Sequence, residues 1–274
     1  MARALRGRCV GRVVAQVELL DSTLVDPLSP EVQGLEGAQI TAVGRRGKVL
    51  LLWSGGPCIS QRRVLCLHPR MTGVVRPLGA TDPRPDRLRV RLVGGDGLRL
   101  VDPRRLARAS LVPASDLALR FSGMGPEPWP GRREGAWWAA RLGDARGPLK
   151  PAMLDQGRVA GIGNIAASEI LFEAGLHPST PARALLAADW EGLATAAVRV
   201  LDRTVRREEA TGLQLMHLGG PNPFEVVGRA GRPCPRCGGP ITRGVMAGRG
   251  TWWCLACQPE PGGQGSGAPV RSPR

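Results

Sequence analysis

The chain of 274 residues carries 38 Lys+Arg against 23 Asp+Glu, a formal net charge of +15, with 42% hydrophobic and 22% charged residues. That length accommodates one large domain or two modest ones, and the hydrophobic share excludes wholesale disorder. No apolar run approaches the ~20 residues that span a bilayer, and Gln16 and Glu18 interrupt any leader-like start, so a cytoplasmic, non-membrane protein is expected.

From Arg12 to about Val101 short strand-like runs are separated by Gly, Pro and Asp: RVVAQVELL, AQITAV, KVLLLW, RRVLCL, DRLRVRLV and GLRLV. In DRLRVRLV, Leu88, Val90 and Leu92 alternate with Arg87, Arg89 and Arg91, which predicts one apolar and one strongly basic strand face. The reading is a β-sandwich. MGPEPWPG, 124–131, cannot continue regular structure and reads as a linker to a second domain.

Beyond the linker the period becomes helical. Asn164 is read as the N-cap of a helix running through IAASEILFEA to a stop at Gly175, with Pro178 beyond. Leu193, Ala196, Ala197, Val200 and Leu201 recur at the helical period within 182–206, predicting an amphipathic helix. The polar, Gly- and Pro-rich C-terminus reads as a disordered tail.

Four of the seven cysteines form Cys234-Pro-Arg-Cys237 and, sixteen residues on, Cys254-Leu-Ala-Cys257. Two such knuckles have the zinc-ribbon spacing, each supplying two thiolates to a tetrahedral shell around one structural Zn2+. A disulfide framework is the weaker alternative for a cytoplasmic chain. A closed shell has no open coordination position, so the metal folds the segment and performs no chemistry. Between the knuckles the sequence reads as two strands joined by a Gly248-Arg249-Gly250 turn that holds out an arginine suited to a phosphate. Cys9, Cys58 and Cys66 have no site-like spacing and read as small buried residues.

The cationic surplus favours a polyanionic partner, nucleic acid first. Codon bias in a GC-rich genome accounts for the choice of arginine over lysine but not for the excess of cations. Lys48 and Lys150 are the only lysines.

Taken in order, RRGKVLLL at 45–52, HPRMTG at 68–73, VDPRRL at 101–106, GMGPEP at 123–128, LKPAMLDQGRVAGIGNIAASEILFEAGLHP at 149–178 and the hairpin ending AGRGTWWCLACQ resemble the formamidopyrimidine-DNA glycosylase / endonuclease VIII family of bifunctional base-excision repair enzymes. The resemblance implies an α+β protein of two domains that holds damaged double-stranded DNA in a basic cleft as a monomer. Its parts would be a β-sandwich at 1–123 with a truncated first helix, the linker, a helix-two-turns-helix domain at 132–228, a zinc hairpin at 229–258 and a tail at 259–274. It further implies Met71 as the wedge that fills the space left by a flipped base, beside Arg104, Arg105 and Leu106 of the intercalation loop. Core packing is the alternative for Met71. By the same resemblance Asn164 and Arg249 contact phosphates, Lys48 lies in the active-site cleft, and Lys150 lies near the lesion and its phosphates. Both lysines thus fall on family functional positions, where a compact ammonium is not replaced by a guanidinium.

The sequence departs from the family at its start. Family members use an N-terminal proline amine to attack the sugar C1′ and the following glutamate to handle protons. Here Met1 aligns inside the first helix, about eight residues and about 12 Å of helix past that proline. Met1 stands where members often have valine, and a GTG codon can be mistaken for a start. A misplaced start is therefore the preferred explanation, against a catalytically inactive homologue that binds damaged or abasic DNA. Leu106 stands where an aromatic is common, Ala166 and Val227 replace tyrosines, and the short stretch 211–228 leaves 8-oxoguanine recognition unsupported. A zinc-ribbon RNA-binding protein is the further alternative.

Overall fold

The computed structural model describes residues 1–25, 32–55, 62–80, 82–210 and 222–262. Cys58, the segment 211–221 and the tail from 263 lie outside the described residues, and so do the readings made for them. The chain divides into two compact units, one of Met1–Met124 with 207–210 and one of Gly125–Arg206 with 222–262. Among the described residues no helix is long and apolar enough to cross a membrane.

The first unit opens with helix α1 (Ala2–Cys9), whose Leu5 and Cys9 are buried. Among the described residues eight strands follow: β1 (Val14–Leu19), β2 (Gln39–Arg46), β3 (Val49–Gly55), β4 (Arg63–His68), β5 (Val74–Pro77), β6 (Asp86–Leu92), β7 (Gly97–Val101) and β8 (Arg108–Pro113). They form two antiparallel sheets in the orders β1-β6-β7-β5 and β2-β3-β4-β8. Val14, Val17, Leu88, Val90 and Leu98 of one sheet and Ile40, Leu52, Leu65 and Leu111 of the other belong to one buried cluster, the core of a sandwich. The run in β3 is apolar at every position because its second face is covered too. Val49 and Leu51 pack with Val64, Cys66 and the short helix α2 (Leu117–Arg120) through Leu117.

The structure corrects the strongly basic face expected of β6. Arg87 is buried, with Nη1 3.0 Å from Asp21 and Nε donating to the Asp102 carbonyl at 2.8 Å. Arg89 pairs with Asp86 and Glu18, Arg91 with Glu18, and Arg99 of the neighbouring strand with Asp86. Carboxylates on β1 and β6 neutralise this face where it stands, so these arginines form a side-chain lattice and not an open phosphate track. Strands β5 and β8 have no counterpart among the strand-like runs of the sequence.

The second unit contains α3 (Gly135–Leu142), α4 (Leu149–Leu154), α5 (Asn164–Ala174) and α6 (Ala187–Ala210), whose last residues count with the first unit. Trp138, Leu142, Leu149, Met153, Ile170, Leu193 and Ala197 share its core. The amphipathic helix expected within 182–206 is α6, which starts at Ala187 after a separate turn at Ala182–Ala184 and runs on to Ala210. Gly175 ends α5 in the left-handed conformation at φ 70°, where its amide reaches the Phe172 carbonyl. The N-cap of α5 is Gly163, not Asn164, which is already the first helical residue. The reason lies in the Asn164 side chain, which is engaged elsewhere.

Strands β9 (Ile241–Met246) and β10 (Arg249–Cys254) make the hairpin between the cysteine knuckles. Its turn is Ala247–Gly248, both at positive φ (48° and 71°), as a two-residue turn with left-handed positions requires. The expected Gly-Arg-Gly turn is thus displaced by one residue, and Arg249 opens β10 opposite Met246. The hairpin is tied to α5: Arg236 donates to the Phe172 carbonyl, and Gln258 bridges the Cys254 amide and the Leu176 carbonyl. Glu169 of α5 accepts the amides of Glu225, Val226 and Val227 at 2.9, 3.0 and 3.1 Å, fixing the chain that leads into the hairpin.

Candidate nucleic-acid interface

Three loops of the first unit carry the residues singled out there. Lys48 is exposed in the Gly47–Lys48 turn between β2 and β3. It lies close enough to His68, at the end of β4, to act on its charge. Burial, then Arg70 and Lys48, lower the His68 pKa below the usual histidine value, keeping the ring neutral. Its Nδ1 accepts the Arg70 amide at 3.0 Å, and Arg70 takes a left-handed φ of 58°.

This folds 69–73 into a tight turn with Met71 at its tip, 72% exposed, which excludes the core-packing reading. The turn closes through Gly73, whose amide donates to the Pro69 carbonyl at 3.0 Å. A Cβ at Gly73 would sit 2.2 Å from that oxygen, so only glycine fits.

The loop after β7 holds Arg104 and Arg105, both exposed, and the half-buried Leu106. Arg105 sits at φ 56°, with Nε 3.7 Å from Asp21. The loop is arranged around Asp102, a fully buried carboxylate that no motif of the sequence singles out. Burial works to raise the Asp102 pKa, but hydrogen bonds from the Thr72 hydroxyl and the amides of Ala107, Leu106 and Arg104 prevail and hold it below the usual carboxylate range.

In the second unit, Lys150, Asn164 and Arg249 converge from α4, α5 and β10. Lys150 is 0% exposed, and its Nζ donates to Asn164 Oδ1 at 2.8 Å, Thr251 Oγ1 at 2.7 Å and the Gly250 carbonyl at 3.2 Å. Asn164 Nδ2 donates to the same Gly250 carbonyl at 2.9 Å, and Thr251 Oγ1 donates to the Arg249 carbonyl at 3.2 Å. The buried ammonium therefore clamps the helix start to the hairpin and sets the backbone from which exposed Arg249 projects.

Burial, and then the Arg249 charge, lower the Lys150 pKa to about 8, so it remains mainly protonated at neutral pH. The Lys150 charge and exposed Arg249 lie at the start of α5, where the helix dipole adds further positive potential, an arrangement that can attract an anion. The sequence does not mark Gly250 or Thr251 as acceptors, since nothing in GRGTWW distinguishes a carbonyl or hydroxyl that receives a distant lysine.

Below this site, the four cysteine Sγ atoms lie within 4.8 Å of one another, with Cys234–Cys257 at 3.8 Å and Cys237–Cys254 at 3.4 Å. A tetrahedron with Zn–S bonds of ~2.3 Å has edges of about 3.8 Å, so the thiolates fit one structural zinc. The metal would fix the ends of β9 and β10, and through them Arg249 to Thr251.

Comparison with known proteins is consistent along the chain. Residues 1–109 match the formamidopyrimidine-DNA glycosylase N-terminal domain, 124–215 the formamidopyrimidine-DNA glycosylase H2TH domain, and 231–259 the zinc finger found in FPG and IleRS. A formamidopyrimidine-DNA glycosylase of Symbiobacterium thermophilum is 37% identical, covering 95% of this chain and 87% of its own. One from Geotalea uraniireducens is also 37% identical, covering 93% and 96%. Among solved structures, Lactococcus lactis Fpg in complex with DNA containing an abasic site is similar at TM-score 0.82 and 27% identity, covering 94% of this chain and 97% of that one. The same protein bound to DNA containing FAPY-dG gives TM-score 0.81 at 27% identity and the same coverage.

Proposed function

This chain belongs to the formamidopyrimidine-DNA glycosylase family, and from that premise we propose that it binds damaged duplex DNA and removes oxidised bases by glycosylase and AP-lyase chemistry in base-excision repair, at the nucleoid in the cytoplasm. The observation that carries the reading is the anion site of Lys150, Asn164 and Arg249, built on a buried lysine with three acceptors. A site of that construction binds a backbone phosphate at a fixed place, which positions a duplex without reading its sequence. Solvent-exposed Met71, on a turn that only glycine can close, supplies an apolar probe for the space a lesion leaves in the stack. Arg104 and Arg105 stand beside Leu106 to meet the opposite strand, and Lys48 provides a cation for the sugar-phosphate near the reacting carbon.

The covalent step needs an amine. In the family, a proline nitrogen bonds to C1′ as the base departs with the glycosidic electron pair and a proton; the C1′–O4′ bond of the resulting aminal then breaks, its electron pair and a proton going to O4′ while the nitrogen lone pair forms the iminium that borohydride reduces to a stable amine link. Trapping on an oligonucleotide with an abasic site tests this with two forms of the protein, the sequence as given and one extended upstream by a Met-Pro-Glu start in register with α1. An adduct from the extended form is expected. No adduct from either form overturns the enzyme reading and leaves a binder of damaged DNA. Equal affinity for RNA and lesion DNA overturns both.

A further inference from the structure

We infer that Asp102 is a positioning residue that locks the Met71 turn and the Arg104–Leu106 loop into one rigid unit, so that wedge and loop enter a duplex together. The inference rests on the reading of Met71 as a wedge and assigns a role to two residues outside the DNA-contacting set, Asp102 and Thr72.

The geometry is specific. Asp102 Oδ1 accepts the Thr72 hydroxyl at 2.5 Å and the Arg104 amide at 3.3 Å. Its Oδ2 accepts the amides of Leu106 and Ala107, both at 2.6 Å. The Asp102 carbonyl accepts Arg87 Nε at 2.8 Å and the Arg105 amide at 3.4 Å, and Arg87 is itself pinned by Asp21. One buried carboxylate thus receives three amides of its own loop and one hydroxyl from a turn thirty residues earlier. The amide bonds set the loop's shape, and the Thr72 bond ties Met71's neighbour to it.

A wedge needs such backing. Parting a base step costs a few kcal/mol, and an apolar side chain on a pliant turn yields before the stack does. A charge-assisted hydrogen bond to a buried carboxylate is among the stronger single contacts a protein makes, which suits it to holding the turn against that load. Four acceptor interactions on one carboxylate also make the arrangement cooperative, because a shift of the loop pulls on Thr72 and a shift of Met71 pulls on the loop.

Thr72→Val removes the hydroxyl while keeping the shape, and Thr72→Ser restores it. Both are compared with Met71→Ala and the double variant T72V/M71A, all in the full chain. The probe is a duplex with a tetrahydrofuran abasic analogue opposite 2-aminopurine, whose fluorescence reports unstacking at that step, with affinity measured on the same duplex. Thr72→Val is expected to weaken affinity about ten-fold and to suppress most of the fluorescence rise, Thr72→Ser to recover both, and T72V/M71A to be no more than about two-fold weaker than M71A alone. Thr72→Val behaving as the parent while Met71→Ala is impaired overturns the coupling and leaves the wedge reading intact, as do independent, multiplying effects of the two. A silent Met71→Ala overturns the wedge reading, and the coupling with it.

Discussion

Removing one zinc ligand, as in Cys237→Ser, is expected to abolish DNA binding while leaving the first unit folded. The hairpin shares only a small core, Ile241 and Cys254 with Val226 and with Phe172 of α5 and Trp252 against them, too little to order a segment of this size without a metal. Zinc in a four-thiolate shell contributes about 10–16 kcal/mol of apparent binding free energy to small domains, and losing a ligand removes much of it. The damage then spreads from the hairpin to the anion site. Lys150 loses Gly250 and Thr251, Arg249 loses its placement, and the site has no second wall. A chelator titration that follows tryptophan fluorescence of Trp252 and Trp253 alongside duplex affinity should show the two falling together, with far-ultraviolet circular dichroism of the sandwich retained.

Lys150→Met should have the second largest effect. The substitution is close in volume but strands Asn164 Oδ1, Thr251 Oγ1 and the Gly250 carbonyl around an apolar group. With about 1–3 kcal/mol for a buried group left without its partner, a loss of roughly 3 kcal/mol is expected, read as a fall in thermal midpoint. Duplex affinity should fall at least about ten-fold as well, since a charge and the order of Arg249 go together.

The parent protein has a pH signature that the variant lacks. The folded-state pKa of Lys150, about 8, lies below the unfolded value of 10.5, so between them the unfolded chain binds more protons and stability rises with pH. Below about 8 the full cost of the buried charge is present. Phosphate binding runs the other way, weakening above that pH as the ammonium is lost. Opposite slopes of stability and affinity in this window, both flattened in Lys150→Met, identify the residue.

How much of the fold and the site is legible in the sequence depends on where each residue finds its partner. Strand β6 shows its apolar face because the alternation is local, yet apart from Asp86 the partners of its arginines are not: Glu18 comes from another strand and Asp102 from beyond the next. Strand β5 is four residues ending in proline, too short for a period to register. The cysteine knuckles are legible because metal geometry restricts spacing directly. Asn164 reads as an N-cap from its position before an apolar run, but a lysine fourteen residues earlier and a carbonyl from the hairpin take its side chain. Lys150 stands out in the sequence as one of two lysines, but its burial does not, because it depends on acceptors from two later elements. Asp102 hides for the same reason, since VDPRRL does not mark which of its residues has a carboxylate that gathers two separate loops.

Recognition of damage, and not merely of charge, is read in a competition at physiological salt between a duplex carrying a tetrahydrofuran site and the same duplex undamaged. A preference of about ten-fold or more for the damaged duplex is expected, about 1.4 kcal/mol or more, persisting when added salt weakens both. Equal affinity for the two duplexes, falling in parallel with salt, would contradict it.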